Sequence, residues 1–204
     1  MIVERRIFLR SRPVGEIGYI NTGTGHLYLV FREVTVDNGE VIAVVNENDG
    51  VIRGGPAGDM ANYSDLATQT GLLEESGDAY GLPNGASPDD TPEDRNSLDI
   101  TALLLGSGVY TDAQAAWAGM TAFANALSGE YRYELPTMGG GIHTSNSNAT
   151  ILSVLNHAGL DVRSIETADG SSYVDDITIF GHPGADKDAP TLLGSGDTAP
   201  AMAA

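Results

Sequence analysis

Apolar and polar residues alternate along the first 56 residues of the chain, with the period of a half-buried β-strand. The pattern predicts short strands at IVERRIFLR and EIGYIN, parted by a turn at SRPVG, where proline and glycine interrupt a ladder. GHLYLVFREVTV follows, rich in β-branched and aromatic residues, then VIAVV, with Asn38-Gly39 between them. A tight hairpin needs positive φ at both central residues, and Asn-Gly supplies it. A further strand, GVIRGG, comes after NENDG, and the three runs read as an antiparallel meander with His26 at its start.

The period then changes. GDMANYSDLATQTG reads as a short helix capped by Asp59, and residues 74–99 as a long, exposed, acidic loop. TDAQAAWAGMTAFANALSG is helical: Thr111 or Asp112 caps it and Gly129 ends it. Trp117, Met120, Ala124 and Leu127 recur at helical spacing, as a core stripe does. YRYELP reads as a short strand. A second helix over 148–158 places Ile151, Leu152, Leu155 and Ala158 on one stripe, with Gly159 as its stop. The expected architecture is an α+β domain over residues 1–190, an antiparallel sheet packed against two or three helices, with a loose tail at 191–204.

Charge and cysteine content narrow the function classes. With 28 acidic against 10 basic residues the net charge is −18, which repels phosphate backbones and argues against nucleic-acid binding. No cysteine is present, which excludes disulfides, thiolate zinc sites and a cysteine nucleophile. The amino-terminal residues alternate instead of forming the apolar run of a signal peptide, and no stretch has the length of a membrane span. The expected location is outside a bacterial cell, by a route without a cleaved signal, or the cytoplasm. SPDDTPEDRNSLD lacks the ligand spacing of a helix–loop–helix calcium site, so no metal ligands are assigned. Calcium is kept as a candidate cofactor of this acidic segment.

In a chain without cysteine, the nucleophile candidates are hydroxyls. Ser147, in GGGIHTSNSNAT, stands at the start of the second helix. There, unpaired amides and the helix dipole favour negative charge, and the amides of Ser147 or Asn148 could receive an oxyanion. A hydroxyl also needs a base, and the histidines are His26, His143, His157 and His182. His157 lies about 15 Å along the same helix. His143 is in a glycine-rich loop and His182 in a Gly-Pro turn. His26 begins a strand, and the Asn38-Gly39 hairpin would place Asn46 or Asn48 near it to orient the ring. Ser and Asn are also the commonest helix caps, so TSNSNAT suits an inert helix start equally well.

The order of these pieces is similar to that of a known family. GHLYLVF with VIRGGP, NSN opening an apolar helix, and HPGADKDAP together resemble circularly permuted papain-like domains. That group includes cell-wall amidase and lecithin–retinol acyltransferase-like relatives, and such segments also occur in large secreted bacterial proteins. The resemblance covers about half the chain. It implies that Asn146-Ser147 takes the family's Asn-Cys place, with Ser147 as nucleophile position and His26 as base. Two departures stand out: serine replaces cysteine, and Thr150 occupies a position where an aromatic is expected. The expected function is hydrolysis or transfer of an acyl group from an amide or ester, with a peptide, cell-wall peptide or lipid ester as substrate. The alternative is a non-catalytic secreted interaction or structural module with a degenerate site.

Overall fold

The computed structural model describes residues 1–17, 20–57, 65–73, 96–130 and 147–161. Their strands form one five-stranded sheet in the order β4-β3-β2-β1-β5. β1 (Ile2–Ile17), β2 (Ile20–Asp37), β3 (Glu40–Pro56) and β4 (Leu66–Leu72) are each antiparallel to the next. β5 (Asn96–Asp99) returns to the free side of β1, where Phe8 to Ser11 pair with Asp99 to Asn96. The α+β expectation holds.

Several sequence expectations need correction. SRPVG is not a turn: β1 runs through Pro13, which pairs with Gly25, and EIGYIN straddles the β1–β2 hairpin. The backbone of Ile7 shows why proline is tolerated. Its N–H donates to Thr101 Oγ1 at 2.8 Å and its carbonyl accepts from the Ile100 N–H at 3.0 Å, so both face away from β2. Register is unbroken from Ile7 to Pro13, so the missing N–H faces the same way, beyond the last β1–β5 pair, Ser11–Asn96. VIAVV and GVIRGG are one strand with an irregularity, not two.

The helix expected from Asp59 onward is also revised. Leu66–Leu72 is strand β4, with β-branched Thr68 and Thr70 suited to a pleated edge. The far end of the acidic segment 74–99 is strand β5, not loop. Asp99 there accepts from Arg6 Nη1 at 2.7 Å and from the Thr101 N–H at 3.0 Å. The proposed strand YRYELP and the 191–204 tail lie outside the described residues.

Three helices cover one face of the sheet: α1 (Thr101–Gly106), α2 (Ala113–Leu127) and α3 (Ser147–His157). α2 starts as expected, with Asp112 accepting from the Ala115 N–H at 2.8 Å, a bond that also holds the Asp112 carboxyl below its usual range. Ile7, Leu9, Leu29 and Ile52 of the sheet pack against Met120, Leu127, Ile151 and Leu155 of the helices. Trp117 stacks on Phe31 with ring centroids 5.2 Å apart, an approach that Gly50 permits: a Cβ there would lie 2.9 Å from the indole.

The opposite face of the sheet carries a second apolar cluster, with Phe8, Tyr28, Val30 and Val51 all buried. Buried charge lies on the sheet too. Arg10 is fully buried, and Arg32 Nε donates to Asp49 Oδ2 at 2.8 Å, with a second bond from Nη2 to the same oxygen.

Candidate functional site

β2 and β3 do not pair along their whole lengths. Their ladder runs from the Asn38-Gly39 turn, where both residues have positive φ, to Leu29 opposite Ile52, and ends there. Before Leu29, β2 pairs with β1 alone, with His26 opposite Arg12. Beyond Ile52, β3 pairs with β4 alone, to Pro56 opposite Leu66. The two strands therefore part in a fork at Leu29–Ile52, and α3 contacts both strands.

The amino terminus of α3 sits on the β2 arm. Ser147 is the first residue of the helix. Asn148, 2% exposed, accepts a hydrogen bond from the Leu27 N–H through Oδ1 at 2.8 Å. The residue after Ser147 is thus bonded to the residue after His26, across 121 positions of sequence. The two residues singled out for chemistry are each one position from this bond. The donor is a buried strand amide, which the carboxamide oxygen at the helix start supplies with an acceptor.

The third member of the expected site is not there. Phe31 pairs with Gly50 and Glu33 with Val45, so residues 46–49 all lie opposite Arg32 in the irregularity of β3. Arg32 is six residues from His26 on the same strand, about 20 Å at strand rise. The register therefore does not put Asn46 or Asn48 opposite His26, where the hairpin was expected to place one of them. Sequence reading assumed an uninterrupted register from the hairpin, and the irregularity shifts every later pair.

The other histidines and the acidic segment play no part in this arrangement among the described residues. His157, at the far end of α3, stacks on Phe123 with ring centroids 3.9 Å apart and planes 4° from parallel. His143 and His182 lie outside the described residues, as does the acidic segment weighed for calcium up to residue 95. Among the described residues there is no cluster of three or more metal-ligating side chains, and no helix is long and apolar enough to cross a membrane. Thr150, where an aromatic was expected, is fully buried.

Burial lowers the His157 pKa below its ordinary value of 6.5. The unfolded chain then binds a proton at this ring that the folded chain resists. This contribution to stability is complete above pH 6.5 and is lost as pH falls below it. In urea unfolding between pH 7 and 5, a His157→Phe variant that keeps the stack is expected to lose less stability than the unmodified chain. Equal losses would show that His157 titrates normally in the fold.

Asn148 is the residue that sequence reasoning undervalued. It was noted for its backbone amide alone, whereas its side chain makes the link between α3 and β2. Nothing in NSNAT distinguishes a cap from a strand-binding carboxamide, since both uses suit Asn at a helix start. Searches of the chain against protein-family models, curated proteins and solved structures found no match.

Proposed function

We propose that the chain is an acyl hydrolase or acyltransferase acting on amides or esters through Ser147 and His26. The observation that supports this reading is the Asn148–Leu27 hydrogen bond, which ties a serine-bearing helix start to a histidine-bearing strand. Ser147 Oγ would attack the acyl carbon while His26 takes the hydroxyl proton. Amides of Ser147 and Asn148 would receive the developing oxyanion. The proton then passes from His26 to the departing amine or alcohol, leaving an ester on Ser147. Water, or an acceptor hydroxyl or amine, repeats the sequence and releases the acyl group. The permuted papain-like resemblance is consistent with this assignment, with serine in the cysteine place. The peptide, cell-wall peptide and lipid ester classes all carry the required carbonyl.

A fluorophosphonate probe tests the reading, because it phosphonylates an activated serine. The unmodified chain is expected to be labelled, Ser147→Ala not at all, and His26→Ala about 10³-fold more slowly or worse. Labelling that persists in Ser147→Ala would overturn the assignment. The register, which pairs neither Asn46 nor Asn48 with His26, favours the second reading, a non-catalytic interaction module with a degenerate site. An unmodified chain that resists the probe would support that module.

A further inference from the structure

Backbone polarity identifies the group that the β2–β3 fork leaves without a strand partner. Ile7 directs both its backbone groups away from β2. Four residues on, in unbroken register, Ser11 does the same, and its partner across the ladder is Leu27. In an antiparallel pair of this kind both residues face outward, so the Leu27 N–H points away from β1. That is the side on which β3 would lie if the ladder continued, with Gly54 the next partner after Leu29–Ile52. The β2–β3 ladder stops short of that pair, while the other edge of β3 continues along β4, with Gly54 opposite Thr68. The acceptor that Leu27 meets is Asn148 Oδ1, at 2.8 Å. A buried amide left without an acceptor is costly, so this carboxamide takes over the role of a strand.

We propose that Asn148 is a positioning residue: standing in for the β3 partner of Leu27, it seats the first turn of α3 beside His26 and so sets the reach between Ser147 and His26. The inference rests on the Ser147–His26 reading of the site, and it extends that reading from the reacting groups to the residue that fixes their separation. The same bond ties the start of α3 to the β2 arm of the fork. An unbroken β2–β3 ladder would leave no N–H at Leu27 for a helix to take. An apolar residue at 148 would fill the fork without specifying where Ser147 comes to rest.

The absence of cysteine allows a test that does not depend on activity. Ser147→Cys combined with His26→Cys introduces the chain's only two thiols, and dibromobimane becomes fluorescent on bridging a close pair. Bridging is expected when Asn148 is retained. Adding Asn148→Ala is expected to slow it about tenfold or more, since small misplacements of paired groups are penalised steeply. Adding Asn148→Asp, which keeps an acceptor oxygen in place, is expected to restore the rate to within about threefold. Equal bridging in the alanine variant, or none with Asn148 present, would overturn the inference. Should the alanine variant not fold, amide exchange in the unmodified chain decides the matter. Leu27 is then expected to be protected as well as Leu29, and exchange at the rate of a free amide counts against the proposal. Bridging that depends on Asn148 supports it whether or not a fluorophosphonate labels Ser147, so the two readings can fail separately.

Discussion

Replacing Asp49 by alanine is expected to lower the unfolding free energy by about 3–5 kcal/mol, the range for removing one partner of a buried ion pair. Asp49 is 4% exposed and Arg32 3%, so neither charge has water to turn to. The Arg32 guanidinium gives two hydrogen bonds to one carboxylate oxygen of Asp49. Without the carboxylate, a cation stays in an apolar face beside Val30 and Val34. The pair also spans the β3 irregularity, since Asp49 is one of the residues facing Arg32 between two regular stretches of ladder. Its removal should therefore loosen the register as well as leave the charge. Urea unfolding followed by circular dichroism measures the effect. A double replacement, Arg32→Met with Asp49→Leu, is expected to recover most of the loss, because no charge is then left behind. A single-variant loss below about 1 kcal/mol would mean that water reaches Arg32.

The second large effect concerns the helix that carries Ser147. Ile151 is fully buried, one helical turn after Ser147, within the cluster that joins α3 to Leu29, Phe31 and Met120. Ile151→Ala is expected to cost about 2–5 kcal/mol, from lost apolar burial and the cavity left behind. Ile151→Val, which removes one methylene, is expected to cost about 0.5–1.5 kcal/mol. The graded pair separates packing from a general intolerance of change at this position. The cavity would also lie under the first turn of α3, so fluorophosphonate labelling should fall more in the alanine variant than in the valine variant. An alanine cost below about 1 kcal/mol would show that α3 does not pack on the sheet through this residue.

Features of the fold governed by local chemistry were readable from the sequence. Asn38-Gly39 had to be a hairpin because few other pairs accept positive φ at both positions, and both adopt it. Asp112 and Gly129 bracket α2 for similarly local reasons, as does Gly159 after α3, where φ is +81°. Features decided by distant partners were not readable. Pro13 looks like a break until the end of β5 is known, and Leu66 to Leu72 looks helical until β3 offers an edge. The last residues of the acidic segment become a strand only because β1 has a free side there.

The same division runs through the candidate site. Ser147 at a helix start follows from local pattern, whereas His26, read as opening a strand, is the seventh residue of β2; the Asn148–Leu27 bond brings their neighbours together. Asn46 and Asn48 were misplaced because register is a long-range property, and no feature of VIAVVNENDG announces that several residues will face one arginine. The use of Asn148 as a strand surrogate depends on the fork, where the β2–β3 ladder stops after Leu29–Ile52.

The order of the sheet bears on how the chain reaches its fold. β1 to β4 can zip up in succession, each strand meeting the next through a nearby connection, which is kinetically inexpensive. β5 is different: the Arg6–Asp99 contact at its end joins residues 93 apart in sequence. Closing so long a loop before any pairing compensates for it is entropically unfavourable, so that edge and the helix following it belong to the late stage of assembly. The Leu27 amide likewise depends on a distant partner. Its partner Asn148 is 121 residues away, and the meander must stand before α3 has a fork to enter. The candidate site is thus built from long-range contacts, and in a nascent chain the Leu27 amide has no Asn148 to meet until α3 has been made.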